Sequence, residues 1–133
     1  MTAEVVYKGE LRCELTHLFS GTHIFTDAPL DNQGKAASFS PTDLVATAAG
    51  ACMMTVMGIK ARDMQVDLTG TRIEVLKVMA SNPRRIAEIH CTLHFPPGAW
   101  EEKTKTILEH TARHCPVLQS IHRDIKTEII FNW

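Results

Sequence analysis

Several common sequence signals are missing from this chain, and each absence closes a class of function. No basic run is present: 14 Lys and Arg stand against 15 Asp and Glu, for a net charge of −1. A nucleic-acid partner would need a positive footprint, so none is expected. No CxxC pair accompanies any histidine, which removes the common zinc-ribbon patterns. Residues 1–11 carry Glu4, Lys8 and Glu10 where a secretion signal would be apolar. The longest apolar stretch, Leu44 to Ile59, is diluted by threonine, glycine and alanine and is expected to fall short of a membrane span. The chain is therefore read as cytoplasmic, with no membrane partner. There its four cysteines remain thiols, and any disulfide would be transient and functional. No repeat, linker or low-complexity segment divides the 133 residues, so residues 1–133 are read as one domain.

What the sequence does contain is patterning of both periods. Leu11, Cys13 and Leu15 alternate with Arg12, Glu14 and Thr16, as in a half-buried strand. Gly21 marks a turn, and His23–Thr26 a second short strand. A loop covers residues 28–37. Ser40 can then cap a helix that opens on Pro41, and Asp43, three residues after the cap, completes an acidic capping box. That helix is expected to reach about Arg62. It is rich in alanine and holds Gly50, and glycine inside a helix costs roughly 1 kcal/mol against alanine. Something must pack closely there, so the helix is read as central and buried. Two strands follow, Thr71–Met79 and Ile86–Phe95, turning at Asn82-Pro83. Ile89, Cys91, Leu93 and Phe95 share one face of the second, and Glu88, His90, Thr92 and His94 the other. A helix around Trp100–Thr111, a short one from Pro116 and a strand at Ile125–Trp133 complete the chain. The order gives an α+β fold with an antiparallel sheet covering the helices.

Four thiols are the candidates for chemistry. Cys13 and Cys91 fall on apolar strand faces and read as small core residues. Cys115 precedes Pro116 at a helix start, where unpaired N–H groups would stabilise a thiolate and lower its pKa, although it can equally be a plain cap residue. Cys52 lies eleven residues past Pro41, about 16 Å along the axis. The dipole of its own helix cannot reach it. It is either core, or reactive through a cation from another segment or subunit. A metal site is the competing reading, since His110 and His114 lie four apart beside Cys115. Cationic residues at a helix C-terminus have a dipole explanation as well.

Taken together, THIFTDAP (residues 22–29), Ser40-Pro41 with the alanine-rich run to Cys52, and Cys115-Pro116-Val117 resemble the OsmC/Ohr superfamily of thiol peroxidases. The resemblance covers nearly the whole chain. It implies an intertwined homodimer in which sheets from both subunits wrap two long central helices. It also implies a two-cysteine mechanism without a cofactor or metal. Cys52 attacks an organic hydroperoxide and becomes a sulfenic acid, Cys115 condenses with it, and an external thiol reduces the disulfide, in oxidative stress defence. Local electrostatics favour Cys115 as the more acidic thiol, whereas the resemblance makes Cys52 the attacker. Family peroxidases place a glutamate where this chain has Thr42, with Asp43 one residue later. Asp43 is nine residues before Cys52, about 14 Å away on a continuous helix, so it either completes the cap or serves a partner subunit. Arg12 is the only arginine of the first two strands and either serves Cys52 or pairs with Glu14 on the surface. The missing glutamate keeps open a non-catalytic alternative, a protein that binds an apolar small molecule.

Overall fold

The computed structural model describes residues 1–133 in the order three strands, a long helix, two strands, two helices and a closing strand, the expected α+β arrangement. By contact the chain divides into two units, residues 1–45 and 46–133.

In the first unit β1 (Ala3–Gly9), β2 (Arg12–His17) and β3 (His23–Asp27) form an antiparallel sheet in the order β1-β2-β3. Strand β1 has no counterpart in the sequence reading. Its turn is made by Glu10 and Leu11 at φ 50° and 63°, directly after Gly9 at φ 89°, so glycine flanks the two central positions instead of occupying one. Leu11, read as strand, sits in this turn. The β2–β3 turn is the one that Gly21 marked: the His17 N–H donates to the Thr22 carbonyl at 2.9 Å, and the Gly21 N–H to the His17 carbonyl at 2.8 Å. This register places Arg12 opposite Asp27. After β3 the chain doubles back so tightly that a Cβ on Gly34 would lie 1.6 Å from the Ala28 carbonyl oxygen. Only glycine fits.

Helix α1 (Pro41–Asp63) opens on the expected reciprocal cap. Ser40 N–H donates to Asp43 Oδ2 at 2.9 Å, and Asp43 N–H donates to Ser40 Oγ at 3.1 Å. The helix runs past both ends of the Leu44–Ile59 stretch; by length and composition alone it could cross a membrane, a test that the core helix of a soluble protein also passes. The expectation of a buried central helix is met along one stripe. Ala46, Ala49, Gly50, Met53, Met57 and Ala61 form an enclosed stripe, while Val45 and Ile59 stay exposed.

The second unit holds β4 (Arg72–Ala80), β5 (Arg85–His94), α2 (Glu102–Arg113), α3 (Pro116–Ser120) and β6 (Lys126–Asn132), with sheet order β4-β5-β6. Strands β4 and β5 form an antiparallel hairpin, but β6 pairs parallel to β5. The sheet is therefore mixed rather than purely antiparallel. The cause is the connection: a strand that follows a helical crossover re-enters in the same direction. Val75, Cys91 and Ile129 are register partners, as are Ile73, Leu93 and Phe131, and with Ile89 they make the inner face. Trp133 stacks on Phe95 with centroids 3.6 Å apart and donates from Nε1 to Glu109 Oε1 at 2.8 Å, tying β6 to α2. Arg113 lies over the Phe131 ring at 5.1 Å and reaches the Ile129 carbonyl at 3.1 Å. These contacts fix the end of α2, from which the chain turns directly into Cys115.

Gly50 is where α1 meets the sheet: a Cβ there would lie 2.9 Å from Val75 Cγ2 and 3.5 Å from Ile73 Cδ1. Alanine gains roughly 1 kcal/mol of helix propensity, but overpacking costs about 1–3 kcal/mol. Gly50→Ala is expected to destabilise the protein. Gly58→Ala, in the same helix with nothing within 4 Å of the added Cβ, is expected to stabilise it. Urea unfolding of both at one protein concentration checks the pair, and equal shifts would refute the close approach.

Candidate active site

Three of the four thiols gather at one apolar cluster in the second unit. Cys115 and Cys91 are buried within it, and Cys52 is half-buried and packs against it. Cys115 comes from the residue before α3 and Cys91 from the inner face of β5, while Cys52 projects from α1. Two cysteines 63 residues apart in sequence, Cys52 and Cys115, thus come to the same cluster, and Cys52 is among the influences that raise the Cys115 pKa. Sequence reasoning named both. It did not foresee that Cys91 lies close enough for the charge of Cys115 to act on it. Its place on the apolar face of β5 was legible, but its depth beside Cys115 was not.

The electrostatics of Cys115 reverse the sequence expectation. Burial pushes its thiol up from the ordinary value, the Leu118 amide pulls it down, and the Cys52 thiol pushes it up again; the Val117 amide is a smaller lowering influence. No full capping hydrogen bond forms from its side chain. Complete enclosure outweighs a helix start only five residues long. Cys91 is pushed up to about 11, chiefly by burial and then by the charge of Cys115. It is an inert thiol at neutral pH.

In the first unit Arg12 does not pair with Glu14. Its Nε donates to Asp27 Oδ1 at 2.8 Å, and a second guanidinium nitrogen donates to Asp27 Oδ2 at 2.9 Å. The Ala37 N–H donates to the same Oδ2 at 2.9 Å. Glu14 instead meets Lys8 at 3.1 Å and His23 at 3.2 Å. Asp27 is 5% exposed, and hydrogen bonding from Arg12 holds its carboxyl below the ordinary aspartate value, with the Ala37 amide and the Arg12 charge adding. This bidentate pair escaped the sequence reading. Counting the β2–β3 register outward from the turn would have found it. Asp43 is engaged in the Ser40 cap described above.

His110 and His114 stack with centroids 4.1 Å apart, and His114 Nδ1 lies 2.7 Å from the His110 carbonyl oxygen. No group of three or more His, Cys, Asp or Glu side chains is placed to hold a metal ion. Cys13 is half-buried in β2.

Comparison with known proteins identifies the class. The profile of the OsmC-like protein family matches residues 33–130. The crystal structure of a protein from Psychrobacter arcticus 273-4, named for osmotic stress induction and a detoxification response, is 50% identical. That match covers 99% of this chain and 96% of the other, with a TM-score of 0.95. The organic hydroperoxide resistance protein OsmC of Legionella pneumophila is 13% identical, covers 100% and 98% of the two chains and has a TM-score of 0.77. OhrB, the organic hydroperoxide resistance protein of Bacillus subtilis, is 15% identical over 99% and 98%, at a TM-score of 0.69. These two share the fold. No curated protein matches the sequence. The chain belongs to the OsmC-like protein family.

The Arg12–Asp27 pair has a pH signature. Because the folded carboxyl is more acidic than an unfolded aspartate, near pH 3.9, its contribution is complete above that range. It is lost as the pH falls through the lowered folded value. Asp27→Asn is expected to reduce the melting temperature at pH 7, and its gap from wild type should close as the pH falls below about 4. Melting curves across that range check it, and a gap of constant size would contradict it.

Proposed function

We propose that this protein is a thiol-dependent peroxidase that reduces organic hydroperoxides in oxidative stress defence, using Cys52 and Cys115. The observation that carries the reading is that these two thiols, one half-buried and one fully enclosed, come to the same apolar cluster. The half-buried thiol can meet a substrate, and the enclosed one can meet only its neighbour. Cys52 as thiolate attacks the terminal peroxide oxygen, the O–O bond breaks, and the alkoxide takes a proton to leave as alcohol. The resulting Cys52 sulfenic acid then condenses with Cys115: the S–S bond forms, the S–O bond breaks, and the Cys115 proton departs with the hydroxyl as water. Two equivalents of an external thiol restore both cysteines and leave as its disulfide.

Apolar surroundings favour an alkyl hydroperoxide over hydrogen peroxide. Arg12, held in a fixed pose by Asp27, is our candidate for the charge that supports the Cys52 thiolate; Asp43 we assign to the helix cap. We read residues 1–133 as one OsmC-like domain that works in the cytoplasm as an intertwined homodimer. The apolar side chains left exposed on the first sheet (Val5, Tyr7, Ile24) and on α1 (Val45, Ile59) support that assembly. A second reading, binding of an apolar small molecule, is favoured by an open groove of about 570 Å³ lined by Met54, Gly58, Ala61, Val66 and Leu68. That groove includes neither active thiol.

Cumene hydroperoxide consumption with dithiothreitol as reductant separates the two. Wild type is expected to turn over. Cys52→Ser should lose roughly 10³-fold or more, as expected for a removed nucleophile, and Cys91→Ala should stay within about twofold because that thiol is inert. Absence of turnover in wild type would remove the peroxidase reading and leave the binding one.

A further inference from the structure

Two imidazoles face each other at the end of α2. His110 lies in its last turn and His114 caps it, so a spacing of four residues stacks them on one face. Both are exposed, and their rings lie 4.1 Å apart between centroids with a tilt of 33°. His114 Nδ1 is 2.7 Å from the His110 carbonyl oxygen. A carbonyl oxygen only accepts, so this nitrogen carries the ring proton. In the neutral ring Nε2 then keeps a bare lone pair, and the backbone bond fixes its direction. Proteins orient metal-ligating histidines in this way, with one ring nitrogen donating to a carbonyl and the other free to bind.

The surroundings leave the pair without a competing partner. Neither ring has a carboxylate or hydroxyl oxygen against it. The other five of the seven histidines each do, as His90 against Glu88 and His94 against Glu74. Glu109 is turned to Trp133 Nε1 at 2.8 Å. Arg113, the nearest cation in sequence, is drawn away to the Phe131 ring and the Ile129 carbonyl. The C-terminal end of α2 adds partial negative charge, which favours a cation at this place.

We propose that His110 and His114 form a binding site for a divalent first-row transition-metal ion that prefers imidazole, such as Zn²⁺ or Ni²⁺, with water completing its coordination. Metal–nitrogen bonds of about 2.0–2.1 Å put the two ligating nitrogens about 3 Å apart. The exposed rings reach that separation by small turns about χ2, a soft torsion in histidine. Only two protein ligands converge here, so the ion is exchangeable, unlike one in a four-ligand structural site. Cys115 follows His114 directly but is 0% exposed and supplies no ligand. The site is therefore independent of the thiol reaction. A bound ion braces the last turn of α2, from which the chain passes into Cys115.

Titration calorimetry of the reduced protein with NiCl₂ tests the site in wild type, His110→Ala and His114→Ala. His122→Ala, at another exposed histidine, is the control. The expected result is saturable binding at a single site in wild type and in the control. Each of the first two variants should weaken it by at least the roughly tenfold that even loss of a supporting contact costs. NiCl₂ should also raise the melting temperature of wild type and leave that of these two variants unchanged. MgCl₂, whose ion prefers oxygen ligands, should do neither. If an alanine variant fails to fold, the glutamine variant at the same position takes its place. Absence of nickel binding in wild type would overturn the proposal. Binding that survives in either His110→Ala or His114→Ala would do the same, as would binding lost in His122→Ala.

Discussion

The close approach of α1 to the β4–β5 hairpin at Gly50 is the constraint on which the thiol pair depends. With no side chain at Gly50, the Val75 methyl group can lie where a Cβ would meet it at 2.9 Å. The enclosed stripe of α1 is otherwise alanine and methionine: small residues permit the approach, and the flexible thioethers of Met53 and Met57 fill what remains. Fully burying such a side chain is worth about 1.5–3 kcal/mol, so Met53, Met57, Ile89, Leu93 and Leu108 dominate the second unit energetically. The rotation of α1 that satisfies this stripe also decides how far Cys52 is enclosed. It ends half-buried, against the cluster but not within it.

Cys115 reaches the same cluster by a different route. Trp133 bonded to Glu109 and Arg113 bonded to the Ile129 carbonyl bind α2 to β6, and the chain leaves α2 straight into Cys115. The parallel pairing of β5 and β6 is part of this arrangement, because the α2–α3 crossover that enforces it is the segment that carries the thiol. Enclosure then sets the chemistry. On Cys115 desolvation exceeds the pull of the Leu118 and Val117 amides, and the thiol ends above its ordinary value. Cys91, one layer away on the sheet, is raised to about 11 and plays no part at neutral pH.

Much of this was legible in the sequence wherever one local rule decided the outcome. Ser40, Pro41 and Asp43 announced the start of α1, and its reciprocal cap forms as read. The alternation through Cys91 and the break at the Asn82-Pro83 turn gave β5 and the hairpin. Gly50 announced the close approach without naming its partner. Where two effects competed, or a partner came from a distant segment, the sequence was silent or misleading. Cys115 looked acidic because the helix start is visible in sequence and its enclosure is not. Arg12 and Glu14 share a strand face, yet cross-strand register gives Arg12 to Asp27, which also receives the Ala37 amide from a loop no pattern describes. β1 was missed because the central turn positions are Glu10 and Leu11, with Gly9 only flanking them.

The central claim is that Cys52 and Cys115 form one redox pair. The most direct measurement treats the reduced protein with one equivalent of cumene hydroperoxide and follows intact mass, free-thiol count and peptide linkage. The account predicts loss of two thiols, a mass two hydrogens lower, and a single crosslink joining the Cys52 and Cys115 peptides. Four free thiols at stoichiometric oxidant, or a crosslink that runs through Cys13 or Cys91 instead, would contradict it.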